Sequence, residues 1–431
     1  GVIIITTKTG KKGDGRNFSI SYNGSLQARQ VSLLPEMQNE FGQGWNGGQT
    51  FIENGSWGPA LDGSLQVYCP VWIHEYSAKK DNVKDFFDLG WSQNHNIALS
   101  GVSGDSKMNY YLSYSYSNDD GIMPKDYDTF ERNTIAFRGS YDAADWLKVS
   151  SSLNFARTAT DAVGSFQGTS VIDGLFEMPR DISIVDMKDT SSPFNTPEAY
   201  FTPYGITNPY WSLENNYNHT ASKQIYGKIQ ADIKPIKELT FSYRMGFDYT
   251  DYDVKIGSPQ IALDDALIDN DYGYAPSNMN QSGYVYARYG RHLELNHDFL
   301  ANYADKFLDN RLDVNINAGV NMNERSFTRI TGQTDDLTFH TGFWDLSNGA
   351  TKTTLGESQN KRRLVGLFGD VTLGWDDMVY LNLTARNDWS STLPIDKNSF
   401  FYPGATLSWI FTRLIPENKV LSFGKLRLAY G

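Results

Sequence analysis

Between residues 109 and 117 every second side chain is apolar or aromatic: Tyr110, Leu112, Tyr114 and Tyr116. Asn109, Ser113, Ser115 and Ser117 hold the other parity, with Tyr111 the one large exception. A period of two sends successive side chains to opposite faces of an extended strand, one wet and one apolar. The pattern returns along most of the chain, in segments longer and more regular than soluble sheets use. Leu239, Phe241, Tyr243, Met245, Phe247 and Tyr249 oppose Thr240, Ser242, Arg244, Gly246 and Asp248. Likewise Leu312, Val314, Ile316, Ala318, Val320 and Met322 oppose Asp313, Asn315, Asn317, Asn321 and Asn323.

The connections alternate as well. Tight turns at Ser103-Gly104-Asp105-Ser106, Asp142-Ala143-Ala144-Asp145, residues 234–238 and 305–310, and Asp376-Asp377 are interleaved with long segments at 31–90, 160–221, 251–287 and 327–360. Counting by periodicity predicts about thirteen strands. β-Sandwiches show no alternation of loop length, and propellers or β-helices need a fixed-period repeat, which is absent. Outer-membrane barrels pair short turns on one rim with long loops on the other. The expected fold is therefore all-β, an antiparallel transmembrane β-barrel.

No run of 18 apolar residues is present, but a barrel strand needs only about 9–11 residues, half of them polar. The polar face is expected to line the lumen. The apolar face, including Tyr110, Leu112, Tyr114 and Tyr116, meets lipid, and Tyr111 points into the lumen near the short-turn rim, within reach of a plug. Trp91, Trp146, Trp375 and Trp409 lie near strand ends, as an interfacial aromatic girdle requires. The bland alternative is that they are core residues of a soluble fold.

The net charge of −12 leaves no basic stripe for phosphate neutralisation, which argues against nucleic-acid binding. Cys69 is the single cysteine, so neither an internal disulfide nor a cysteine-based zinc site is available. Gly42-Gln43-Gly44-Trp45-Asn46-Gly47 matches G-x-G-x-x-G but lacks the preceding strand and following helix that a dinucleotide site needs. Asp269-Asn270-Asp271-Tyr272-Gly273 lacks the later Glu of a calcium loop and reads as a solvated acidic loop. The six histidines are scattered, and the i,i+5 spacing of His292 and His297 puts them on opposite faces of a strand. No catalytic group, metal site or cofactor is predicted. Exposed aromatics on the long loops are the ligand-binding candidates: Trp45, Trp57, Trp211 and Trp344. For each, packing between loops or against a lid is the competing role.

The run Gly1-Val2-Ile3-Ile4-Ile5-Thr6-Thr7-Lys8-Thr9-Gly10 shows no alternation and reads as a strand buried on both faces, followed by a glycine-rich basic linker. It resembles the end of the plug domain in SusC/RagA-type TonB-dependent transporters, the outer-membrane importers of Bacteroidetes. Asn54-Gly55-Ser56-Trp57-Gly58-Pro59, Asn208-Pro209-Tyr210-Trp211, Arg386-Asn387-Asp388-Trp389-Ser390 and Lys425-Leu426-Arg427-Leu428-Ala429-Tyr430-Gly431 resemble the same family, in the same order. The resemblance implies an internal fragment. Residues 1–15 would end the plug, and 16–431 would form an incomplete barrel, about thirteen strands of a barrel of about 22.

It further implies energised uptake of a large nutrient, an oligosaccharide or sometimes a peptide, beneath a SusD-like surface lipoprotein lid. The TonB complex would act through the missing amino-terminal part. Two other readings stay open: a passive outer-membrane porin or adhesin, and a secreted glycan-binding protein or glycosidase. The buried plug-like strand counts against the porin.

Overall fold

The computed structural model describes residues 18–50, 55–68, 72–164, 170–192, 195, 208–261, 281–340, 342–416 and 421–431. The plug-like run 1–15, Cys69 and the acidic segment 269–273 lie outside them.

Strand β1 (Phe18–Arg29) is followed by a long segment holding two small hairpins, β2 (Gly44–Trp45) with β3 (Gly48–Gln49), and β4 (Leu65–Tyr68) with β5 (Trp72–Glu75). Then come β6 (Gly90–Val102), β7 (Met108–Asp120), β8 (Thr129–Ala144), β9 (Leu147–Asp161), β10 (Tyr217–Ile236) and β11 (Leu239–Ser258). The series ends with β12 (Tyr284–Phe307), β13 (Leu312–Asp335), β14 (Thr354–Trp375), β15 (Val379–Ser390), β16 (Ser399–Trp409) and β17 (Leu426–Tyr430). Apart from the two hairpins, the strands form one antiparallel sheet of 13 in strict sequence order from β1 to β17. The expected count and the antiparallel pairing are both borne out.

Turn chemistry fixes the short rim. Asp376 and Asp377 have φ of 48° and 50°, the left-handed pair of a type I′ turn, which Met378 N closes by donating to Trp375 O and which matches the strand twist. Leu308, Asp309 and Asn310 hold φ of 54°, 55° and 67° in the β12–β13 turn.

The two faces of the sheet differ in the sense opposite to a soluble protein. One continuous hydrogen-bonded row runs Ile20, Leu99, Leu112, Phe137 and Leu153 across five strands. Another runs Tyr243, Phe299, Val320 and Leu367. These apolar side chains are open: Ile20 is 64% exposed, Phe299 49% and Leu367 52%. Their polar neighbour Ser113, of the other parity, is only 9% exposed. Water would not tolerate so broad an exposed apolar face, but hydrocarbon would. From Leu312 to Met322, at about 3.4 Å per residue and a tilt of about 40°, the apolar column of β13 stands about 26 Å tall. The apolar band of a membrane barrel is about 25 Å.

Trp375 and Trp409 share the bottom row of this face with Phe307, Leu312 and Val379, and Trp146 projects from the adjacent β8–β9 turn. All three are exposed, as is Trp91 at the opposite end of β6, so the soluble-core reading of these tryptophans fails.

Three details were not read from the sequence. The strands outrun the alternation: β11 reaches Ser258, β12 starts at Tyr284, β13 reaches Asp335 and β14 starts at Thr354. Thus the segments read as loops at 251–287 and 327–360 are partly strand. Above the apolar band both faces meet water or protein, so period-two hydrophobicity stops while pairing continues. Second, the β16–β17 connection at the short-turn rim spans 410–425 and includes a 3-10 turn, Phe411–Leu414, which breaks the short-long rhythm. Third, Tyr111 has lumen-side parity as expected, but its ring is covered by the Arg138 guanidinium at 5.3 Å, its register partner on β8.

The hydrophobic core lies outside the sheet. Val83, Phe86, Met123, Val171, Leu175, Met178, Ile182, Ile184, Met187, Tyr210 and Leu213 pack together. All belong to three connections at the long-loop rim. The sheet is thus a wall, and the globular part is a cap upon it.

Candidate functional site

The polar face carries a hydrogen-bonded ladder of amides and carboxylates. Asn302 donates to the Asn317 side chain at 2.6 Å, and Asn317 donates to Asp370 at 3.2 Å. Farther up, Asn321 donates to Asp298 at 2.6 Å and to Asn296 at 3.0 Å. Asn323 and Arg325 both reach Glu294, at 2.8 and 3.0 Å. Gln224 donates to Asp248 at 2.9 Å, and Arg386 lies over the Phe368 ring at 5.4 Å while it binds Asp388. Because these partners satisfy one another sideways, the wall stays rigid and hydrated without collapsing into the space it faces. A shallow concavity of about 680 Å³ opens on this face, lined in part by Asn109, Arg138, Ser150, Asp248 and Asn296. His292 shares this parity and His297 the opposite one along an uninterrupted β12, as their spacing predicts. His297 instead accepts or donates a bond with Tyr243 at 2.9 Å on the apolar face.

The cap is held by polar side chains that bridge distant segments. Arg180 is buried and donates to the carbonyls of Gln38 and Lys79 and to the side chain of Asn39. Burial lowers the pKa of this guanidinium. Asn82 clasps residues 182–184, donating to Ile182 O and accepting from Ile184 N, each at 2.7 Å. Asn208 is fully buried. It caps helix α2 (Pro209–Asn215), accepting from Tyr210 N, and donates to Met187 O and Asn195 O. Proline at the first helical position suits a missing N–H, so the Asn-Pro pair starts this helix. Helix α1 (Val171–Phe176) packs against it, capped by Ser170. Tyr76 sits under Gly42, with its hydroxyl bonded to Pro59 O. Burial, helped by Asp181 and Asp62, pushes its pKa up to about 12.

The structure brings two of the four candidate tryptophans together. The sequence Asn46-Gly47, with φ of 53° and 78°, closes the β2–β3 hairpin as a type I′ turn. The G-x-G-x-x-G string is therefore a hairpin. Residues 55–58 run alongside it, Trp57 N donating to Gly44 O and Gly47 N to Trp57 O, both at 2.9 Å. Only glycines at 44 and 58 let these backbones meet so closely. Trp45 and Trp57 consequently stand on one small, rigid platform, 48% and 58% exposed. Trp45 lies over Gly55, and Trp57 packs on Phe41 at 5.7 Å.

The other two lie elsewhere. Trp211 is half-buried on α2. Trp344 stacks on Tyr217 at 6.2 Å and covers Gly257, a register pair with the parity of the apolar face, so it is turned away from the polar wall. It borders a cavity of about 260 Å³ with Tyr217, Asp161 and Glu214. The bridging roles of Arg180, Asn82 and Asn208 were not foreseen from sequence. Only Asn208 carried a local signal, the helix-start pair.

Among the described residues no group of three or more His, Cys, Asp or Glu could hold a metal ion, and no helix is long and apolar enough to cross a membrane. The latter says nothing of strands.

No protein-family model matches the chain. A curated TonB-dependent receptor of Formosa agariphila is 22% identical over all of this chain and 40% of its own length. Among solved structures, the RagAB peptide transporter matches with a TM-score of 0.68 at 19% identity, covering 97% of this chain and 47% of the other. The RagAB peptide importer in its closed-closed state gives 0.69 at 20% identity, with 98% and 47% covered. The chain therefore spans less than half the length of these relatives. The fold is the antiparallel barrel sheet seen in the RagAB structures, in agreement with the resemblance read from the sequence motifs.

Proposed function

We propose that this chain, with its SusC/RagA-type barrel sheet, is the barrel portion of an outer-membrane importer that moves a large polar nutrient by TonB-dependent energy. The observation that carries the reading is the sheet's two-sidedness. An exposed apolar band about as tall as a bilayer core backs a continuous Asn/Asp wall, which is what a hydrated path through lipid requires. The cap supports uptake of something large, because a passive pore does not need a separately cored body on its outer rim. In this reading no described residue supplies covalent chemistry, and a plug and a coupling partner would act outside the described residues.

The ligand-contact residues in this reading are Trp45 and Trp57. Two exposed, rigid indoles on one platform can stack on sugar rings or anchor an apolar side chain at low entropic cost. Trp211 and Trp344 act as packing residues. An oligosaccharide suits the indole platform and the amide-lined wall, and a SusD-like lipoprotein would close over the cap. A peptide cargo is the second reading, favoured by the RagAB structures, which are described as those of a peptide transporter.

The test is uptake of fluorescent oligosaccharide and oligopeptide pools by cells carrying the full-length protein. The account expects one pool to enter, entry to stop when the proton-motive force is collapsed, and Trp45→Ala with Trp57→Ala to cut uptake about tenfold. Uptake that survives collapse of the proton-motive force would identify a passive porin instead. Co-purification of a lipoprotein on the cap tests the lid.

A further inference from the structure

Along the upper edge of the apolar band, three cations on the outward face stand in one hydrogen-bonded row. Arg157 on β9 pairs with Lys223 on β10, Lys223 with Asp251 on β11, and Asp251 with Arg291 on β12. The next row down is wholly apolar or aromatic: Phe155, Ile225, Tyr249 and Leu293. Each cation is therefore the first charge met on leaving the band. Four adjacent strands at about 4.8 Å spacing put all three within about 14 Å.

All three are exposed, and none forms an ion pair or side-chain hydrogen bond among the described residues, although Asp251 stands between two of them. On the outward face of β13 and β14, by contrast, Glu324 holds both Lys361 and Arg363. A chain of net charge −12 thus leaves three cations free in one register row, facing outward and away from the polar wall. Tyr116 and Asn133 extend the row with hydrogen-bonding groups.

We propose that Arg157, Lys223 and Arg291 form a binding site for the phosphate groups of a lipid headgroup whose acyl chains lie on Phe155, Ile225, Tyr249 and Leu293. Guanidinium groups match phosphate oxygens bidentately, and the lysine adds a point charge. The apolar row directly beneath gives the occupant's tails a surface, which a free anion would not use. The site depends on the barrel lying in a membrane but not on any particular cargo.

The full-length protein in mild detergent is titrated with a bisphosphorylated glucosamine-disaccharide lipid, with the dephosphorylated lipid, and with inorganic phosphate, and bound lipid is read by native mass spectrometry. The phosphorylated lipid is expected to bind at least about tenfold tighter than the dephosphorylated one. The triple variant Arg157→Gln, Lys223→Gln, Arg291→Gln should lose that margin, whereas Arg157→Lys with Arg291→Lys should keep most of it. Heat-modifiable migration on a denaturing gel reports that each variant is folded. Equal binding of the two lipids by the unmodified protein overturns the proposal, and that result needs no variant. Full displacement of the lipid by inorganic phosphate at equal concentration overturns it in favour of a free-anion site. Nutrient uptake is measured alongside, so loss of lipid selectivity with intact uptake separates this site from the transport reading.

Discussion

A single arginine placed at mid-height of the apolar column measures whether that face meets hydrocarbon. Ala318 lies on β13 in register with Ala301 and Gly369, so a long side chain added there meets little in its own sheet. It sits about 16 Å above Leu312 along the normal, close to the middle of a column about 26 Å tall. Arginine at a bilayer midplane costs about 2–4 kcal/mol and at the interface about 0–1. The matched control is Thr328→Arg, on the same strand and face but above the band, in the row of Arg291 and Gln359. Denaturant unfolding of the full-length protein in lipid vesicles should therefore show Ala318→Arg destabilised by about 2–4 kcal/mol, roughly thirtyfold or more in the folding equilibrium, with Thr328→Arg within about 1. Equal effects at the two depths would refute the lipid-facing assignment. So would a stable Ala318→Arg protein that needs no lipid.

Other expectations follow from the cap. Arg180→Met leaves the Gln38 and Lys79 carbonyls without their buried donor, a local cost of about 2–3 kcal/mol. Hydrogen exchange should quicken in residues 36–41 and 79–84 while the sheet keeps its protection. Tyr76 keeps its proton to about 12, above the ordinary tyrosine value of 10.0. Between those values the unfolded chain has lost a proton that the folded cap retains, so cap stability falls as pH rises through that window and is unaffected below it. Tyr76→Phe should remove that alkaline loss, as read by exchange rates across the same range; an unchanged profile would show that the phenol titrates normally. Trp344→Ala should loosen residues 342–350 against β10 and β11 without changing cargo uptake, in contrast to the Trp45 and Trp57 variants.

The sheet was legible because lipid writes a strong period. Leu239 to Tyr249 and Leu312 to Met322 alternate where one face meets hydrocarbon and the other water, and those stretches fall on β11 and β13. The alternation ends at Tyr249 and Met322, near the top of the band, and so did the strands expected from it. Beyond that height Val285 and Ala287 are buried and Gly332 lies under Leu346, so apolar residues no longer mark one parity. The cap was not legible for a different reason. Its core joins Phe86, Met123, Ile184 and Tyr210 from three separate connections with no shared periodicity. Its bridging groups, Arg180 and Asn82, act across about a hundred residues of sequence. The tryptophans were visible as residue types, but whether they share a platform was decided by Asn46-Gly47 and the glycines that let two segments meet.

The central claim is that one parity of these strands meets lipid and the other lines a hydrated path. Spin labels placed one at a time at 314, 315, 316, 317, 318, 319 and 320 of the full-length protein in bilayers, with Cys69 first changed to serine, test it most directly. The account predicts a period of two, the even positions collided with by oxygen dissolved in lipid and the odd ones by a water-soluble nickel chelate. Equal access of the chelate to both parities would contradict it.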